Sequence, residues 1–308
     1  MPDWWNDACG TQSELMPDVE IRIARFLGLS LADVKNPDFS LTPTKYGNAH
    51  LRRVRFIDED RLAPVIHSAL KIGAAVVRNL RNPESFQDAI PSDALTWRHQ
   101  ILKSQTNVTL DMLLENLWVR GIPVVPIEVL PAPNFQGIAC IIEDRPIILL
   151  GQRHDEPGHV AFIIAHEAGH IAVGDCALGQ PVVDEAGEVD DDDDMERDAD
   201  NFAKLVLLGS DSTPDLTDGN YKKIAEQADQ IEQDTGADAS LIIFNWARQT
   251  RDYTTASMAV KALYVSVGAR RNLRRHFDHH VNLDAASETD RALLRCVYGD
   301  PEINETPC

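Results

Sequence analysis

Apolar and polar positions follow three successive rhythms along this chain. Over the first 90 residues the rhythm is helical. In EIRIARFLGLSLADV, Ile21, Ala24, Phe26 and Leu27, then Leu31 and Val34, recur at three- and four-residue spacing around Gly28. This predicts a short helix, a glycine turn and a second helix, a pair that resembles a degenerate helix-turn-helix and equally any helical hairpin. Beyond the Pro-containing loop FSLTPTKYGN, the stretch DEDRLAPVIHSALKIGAAVVRNL predicts a longer amphipathic helix ending near Asn82 and Pro83. Around residue 91 the pattern changes. LDMLLENLWVRG predicts a helix stopped by Gly121, and IPVVPIEVL, QGIACIIE and RPIILLG predict three short strands separated by Pro, Gly, Asn or Asp. A helix from about Pro157 to Val173 follows, with Asp155 available as its cap. A polar, acidic loop over 174–194 then leads into the helix MERDADNFAKLVLL, closed by Gly209. From Asp211 the rhythm is helical again, most clearly in AEQADQIEQDTGADASLIIFNWARQ. The expected fold is α+β and mainly helical. A core over 91–210, with a small three-stranded sheet packed on two helices, is flanked by helical regions over 1–90 and 211–308, the last a candidate regulatory region.

Composition narrows the class without deciding it. A hydrophobic fraction of 44% over 308 residues supports a sizeable core. The start, MPDWWNDACG, is neither basic nor apolar, and no long uncharged apolar stretch follows, which argues against a secretory signal or a membrane span. The 5 cysteines, at 9, 140, 176, 296 and 308, form no CxxC pair, a pattern of free thiols in a reducing compartment; the expected location is cytoplasmic. The net charge of −20 is uneven: residues 91–210 carry 7 basic against 21 acidic side chains, whereas 1–90 carry 11 against 12 and 211–308 carry 11 against 16. A basic patch in the outer regions therefore stays open.

Candidate chemistry sits in VAFIIAHEAGHIAV. On a helix, His166 and His170 are offset by about 40° around the axis and one turn along it, so both imidazoles can address one metal ion. Glu167, about 100° from His166, reaches past that ion toward a water. This is the arrangement of metal-assisted hydrolysis, with a Lewis acid and a carboxylate that takes the proton. The helix is apolar on nearly all sides, a poor place for two unpaired imidazoles. Glu196, opening the second helix, is the expected third ligand, and Asp200, one turn on, the expected carboxylate behind a ligating histidine. Asp194 and Asp198 compete for the third position, Asp198 pointing off that face of a regular helix. The run Asp190 to Asp194 reads as a solvated acidic loop, or else a lid or docking strip for a basic segment.

The order RPIILLG, FIIAHEAGHIAVG, an acidic insertion, then ERDADNFAKLVL resembles the ImmA/IrrE metallopeptidases. Their usual text is a strand ending in Ile-Leu-Leu, then HELGH, then E-x-E-A-N-x-F-A. The likeness covers about a third of the chain. It implies a minimal zincin-like core with a thermolysin-like active site, Zn2+ on His166, His170 and Glu196, and Glu167 as general base. The chain departs at Ala168, Asp198 and Asp200, and Asp200 fits the E-x-x-x-D of thermolysin-like enzymes. The resemblance further implies one site-specific cut in a helix-turn-helix transcriptional repressor, during a DNA-damage, antiviral or mobile-element response.

Two features are candidates for regulation. Cys176, six residues after His170, is a candidate inhibitory zinc ligand, because a thiolate binds zinc more strongly than water; the alternative is a buried small residue. In ARRNLRRHFDHH, Arg270, Arg271, Arg274 and Arg275 share one side of a helix and are candidate contacts for single-stranded DNA acting as an activator; the alternative is a solvated face neutralised by acids. Nothing in the sequence places His279 or His280 near the metal. The rival function is a DNA-binding regulator with an inert or structural metal motif. A deformylase is disfavoured, since Cys140 in GIACIIE does not match the EGCLS-like segment that enzyme needs.

Overall fold

The computed structural model of the protein describes residues 12–27, 29–39, 59–83, 89–103, 105, 107–130, 135–151, 154–176, 182–185, 194–212, 214–217, 219–263, 268–295 and 297. The loop expected over 40–48, most of the Asp190–Asp194 run, and Cys9, Cys296 and Cys308 lie outside them. The N-terminal stretch is helical as expected: α1 (Met16–Leu27), α2 (Leu31–Lys35) and α3 (Glu59–Arg78). Then come α4 (Ala94–Leu102), α5 (Leu110–Val119), β1 (Val124–Pro126), β2 (Phe135–Ile142), β3 (Arg145–Leu150), α6 (Pro157–Val173), β4 (Val182–Glu185) and α7 (Asp194–Leu208). The remainder is helical, with α8 (Tyr221–Thr235), α9 (Ala239–Thr250), α10 (Tyr253–Leu263), α11 (Ala269–His280) and α12 (Glu288–Arg295). Among the described residues no helix is long and apolar enough to cross a membrane.

The sheet is mixed and has four strands in the order β1-β3-β2-β4, with β1 parallel to β3 and the other pairs antiparallel. The sequence predicts three of these. The fourth, β4, lies inside the stretch expected to be a loop; it is short, and its backbone pairing with Phe135–Ala139 of β2 supplies the order that its own composition does not. Side chains alternate across β2. Ile142 faces α3, since a Cβ on Gly73 would lie 2.8 Å from its Cδ1. Gly137 faces α6, where a Cβ would lie 2.2 Å from Glu167 Oε1. The sheet is thus sandwiched between α3, from the N-terminal region, and the histidine-bearing α6. That explains why β3 is buried at every position and why its run RPIILL lacks a polar face.

One large hydrophobic cluster joins Val65, Ile72 and Val76 of α3, the sheet, α4 to α7, and Leu273, Phe277 and Leu294 of α11 and α12. It therefore draws on all three stretches of the chain. A second cluster, around Ile224, Ile242, Trp246 and Val260, holds α8, α9 and α10 together as a small bundle. Of that bundle, α9 packs along α6.

Two helix ends refine the expectations. Asp155 does not cap α6. The N-cap is Glu156, without a side-chain hydrogen bond, and the Gly158 N–H instead donates to Ser240 Oγ at the start of α9 (2.8 Å). Asp155 serves α11, its carboxylate accepting from the Arg270 N–H (2.8 Å). At the other end α6 stops as a helix should: Gly174 adopts φ 83°, and its N–H returns to the carbonyls of His170 and Ile171.

Candidate metal centre

Two helices build the site because small residues let them meet. Gly169 of α6 faces Ala199 and Phe202 of α7, and even a methyl on Gly169 would come within 3.2 Å of Phe202 Cδ1. The close approach brings the i and i+4 pair of α6, His166 and His170, against the i and i+4 pair of α7, Glu196 and Asp200. Both histidines are buried, with 4% and 0% exposure. Their Nε2 atoms lie 3.2 Å apart, His166 Nε2 is 3.2 Å from Glu196 Oε2, and His170 Nε2 is 3.6 Å from Glu196 Oε1.

These three separations test whether a metal fits. Ligand atoms about 2.0–2.1 Å from a tetrahedral zinc are roughly 3.3–3.4 Å from each other. The Nε2–Nε2 and His166 Nε2–Glu196 Oε2 separations lie close to that edge, and the 3.6 Å contact of His170 Nε2 is to the other carboxylate oxygen, Oε1. The far side of each ring agrees. His166 Nδ1 lies 2.9 Å from Asp200 Oδ1, and His170 Nδ1 lies 2.9 Å from Asp175 Oδ2. A carboxylate at Nδ1 fixes the tautomer whose Nε2 lone pair is available to a cation. Burial, helped by the neighbouring His166, pushes the His170 pKa below its ordinary value despite Asp175 and Glu196, the direction that favours the neutral ring a ligand requires. Among the described residues, His166, His170 and Glu196 form the group of ligand atoms able to hold a metal ion.

Asp200 has a second partner: Arg248 of α9 donates to its other oxygen at 2.8 Å. Burial raises the Asp200 pKa, but the hydrogen bond to His166 and the Arg248 charge outweigh it, and the net shift is downward. Glu167 is fully buried, its carboxylate lodged against the bare backbone of Gly137.

The other candidates fall elsewhere. Asp194 and Asp198 are exposed, and Asp194 pairs with Arg197 at 2.5 Å. Cys176 is buried against Ala139, Ile141 and Ile171 on the α6 face of the sheet and is not in the metal-holding group. Cys140 lies one position along β2, on the opposite face, where burial drives its thiol pKa well up. On α11, Arg270 faces Asp155 at 3.9 Å, Arg274 faces Asp278 at 3.7 Å, and Arg275 pairs with Asp111. Arg271 is exposed. His280 stacks on the Trp118 ring of α5, centroids 4.7 Å apart, with His279 edge-on to it. No family model, curated protein or solved structure matches the chain.

Sequence reasoning missed Asp175 and Arg248. Asp175 follows the helix-ending Gly174, and a carboxylate directly after a left-handed cap, five residues from a histidine, was the available signal. Arg248 is 48 residues from Asp200, and no local pattern marks it.

Proposed function

We propose that the protein is a zinc-dependent endopeptidase with a zincin-like core over 91–210. The observation that carries this reading is the convergence of His166 Nε2, His170 Nε2 and the Glu196 carboxylate, separated by 3.2 to 3.6 Å, three ligands that leave a fourth position for water. When bound, Zn2+ supplies Lewis acidity to that water and to the scissile carbonyl. Asp200 and Asp175 hold the two imidazoles in the ligating tautomer. Glu167 accepts the proton of the attacking water and delivers it to the departing amine, and Gly137 leaves the space in which its carboxylate sits. The resemblance over 110–210 supports the substrate: a helix-turn-helix repressor cut at one bond, within the cytoplasm, in a DNA-damage or mobile-element response. Single-stranded DNA as activator has weaker support, because acids already face Arg270, Arg274 and Arg275.

The test is co-expression of the full chain with the helix-turn-helix protein encoded beside its gene, read by intact mass, together with the zinc content of the purified chain. Wild type is expected to carry one zinc and to make one cut. Glu167→Gln should keep the zinc and leave the partner whole. Cleavage by both proteins, or by neither under inducing conditions, returns the chain to the rival reading of a regulator with an inert metal motif.

A further inference from the structure

The Asp200 carboxylate is gripped at both ends. One oxygen meets His166 Nδ1 at 2.9 Å and the other meets the Arg248 guanidinium at 2.8 Å. Arg248 belongs to a different part of the molecule. It sits on α9, whose hydrophobic neighbours Ile242, Ile243, Trp246 and Ala247 belong to the α8–α10 cluster rather than to the main core. Its guanidinium also lies over Phe162, 5.5 Å from the ring centroid, and Phe162 is one turn before His166 on the metal helix. One cation from the bundle thus touches both the carboxylate that orients a ligand and the helix that carries it.

We propose that Arg248 is a positioning residue for the metal centre, and that through it zinc affinity depends on how the α8–α10 bundle is seated against α6. The inference rests on the metal-site reading above. A carboxylate held at a single oxygen can rotate about its Cβ–Cγ bond, and the ring it orients loses its fixed direction. Held at both, it defines the plane in which His166 Nδ1–H must lie, which aims Nε2. The charge acts in the same sense. Asp175, Glu196 and Asp200 each contact a histidine of the site, and Arg248 offsets the repulsion that Asp200 adds. A displacement of α9 that withdraws the guanidinium leaves His166 and Glu196 in place but loosens the aim of His166.

The experiment is a zinc titration of the full chain against a competing chromophoric chelator, with the visible absorption of the Co2+-loaded protein as a report on ligand geometry. Arg248→Met, which keeps the stem over Phe162 but removes the charge, is expected to weaken zinc binding by about tenfold and to alter the Co2+ bands. Arg248→Lys should recover part of both. In an Asp200→Asn background, Arg248→Met should change little, because the link it acts through is gone. If Arg248→Met lowers the melting temperature of the metal-free chain, the Lys-against-Met difference in zinc affinity carries the test. Equal zinc binding by wild type and Arg248→Met, or an undiminished effect beside Asp200→Asn, overturns the inference while leaving the metal site standing. A wild-type chain that takes up no zinc overturns both.

Discussion

Helices α6 and α11 each concentrate reactive side chains in a dozen or so residues, yet the fold treats them in opposite ways. Around α6 every side is occupied, by the sheet, α7 and α9, and Ile163, Ile164, Ala165 and Ala168 are buried beside the histidines. Along α11 only Ala269, Leu273 and Phe277 are buried, and the arginines project outward toward Asp111, Asp155 and Asp278. A polar group with nowhere to meet water must find partners in the protein, so the α6 imidazoles are met by Asp175, Asp200 and Glu196. A charged group on an amphipathic face already has water, and its ion pairs are worth little. The same density of functional residues therefore argues for chemistry on the first helix and for solubility on the second.

Four measurements break or sharpen this contrast. The largest effect is expected from Gly137→Ala, whose methyl would occupy the place of the Glu167 carboxylate. Displacing a general base costs about 10²- to 10⁴-fold in rate, so cleavage should fall that far while zinc content stays at one. Normal turnover in Gly137→Ala would mean that Glu167 is not the base.

Next is the pH response of α6. Burial, with His154 adding to it, holds the His159 pKa down to about 3, against 6.5 for the free side chain. The folded protein keeps this ring neutral where the unfolded chain takes up a proton. Its share of the stability is complete above about pH 6.5 and is lost as the pH falls toward 3. By pH 4.5 that loss is roughly 3 kcal/mol. Melting curves between pH 6.5 and 4.5 should fall less steeply for His159→Gln than for wild type, and parallel curves would remove the argument.

Asp175→Ala tests the carboxylate that the sequence did not reveal. Zinc affinity should drop by about 10- to 100-fold, and a smaller change would show that Glu196 and the helix alone orient His170. The smallest effect belongs to α11: Arg274→Ala, which removes the exposed pair with Asp278, should shift unfolding free energy in urea by no more than about 0.5 kcal/mol. A much larger shift would place α11 with α6 rather than opposite it.

What the sequence made legible follows the same division. The C-terminal ends of α6 and α7 were readable, α6 approximately from its apolar run and α7 from the closing Gly209, because both signals are local. His166 with His170, and Glu196 with Asp200, were readable as pairs because helical geometry converts a spacing of four into a shared face, whereas Glu167 stood out only as the carboxylate beside His166. The strand β4 was not, because Val182–Glu185 owes its order to β2. Nor was the role of Asp155, whose neighbour in space, Arg270, is 115 residues away. Arg248 escaped for the same reason. The sequence shows groups that one element brings together, and conceals those that meet only when two elements dock.

Gly174 shows how little separates the two kinds of information. Its φ of 83° turns the chain back so that Asp175 reaches His170, yet a Cβ built on it would meet nothing within 4 Å. Space is thus not what the position demands, only handedness. An L-alanine there must adopt a left-handed backbone at a cost of about 1 kcal/mol, whereas its mirror image would rest in that conformation without strain. The aim of the His170 imidazole is set, at this residue, by chirality rather than by contact.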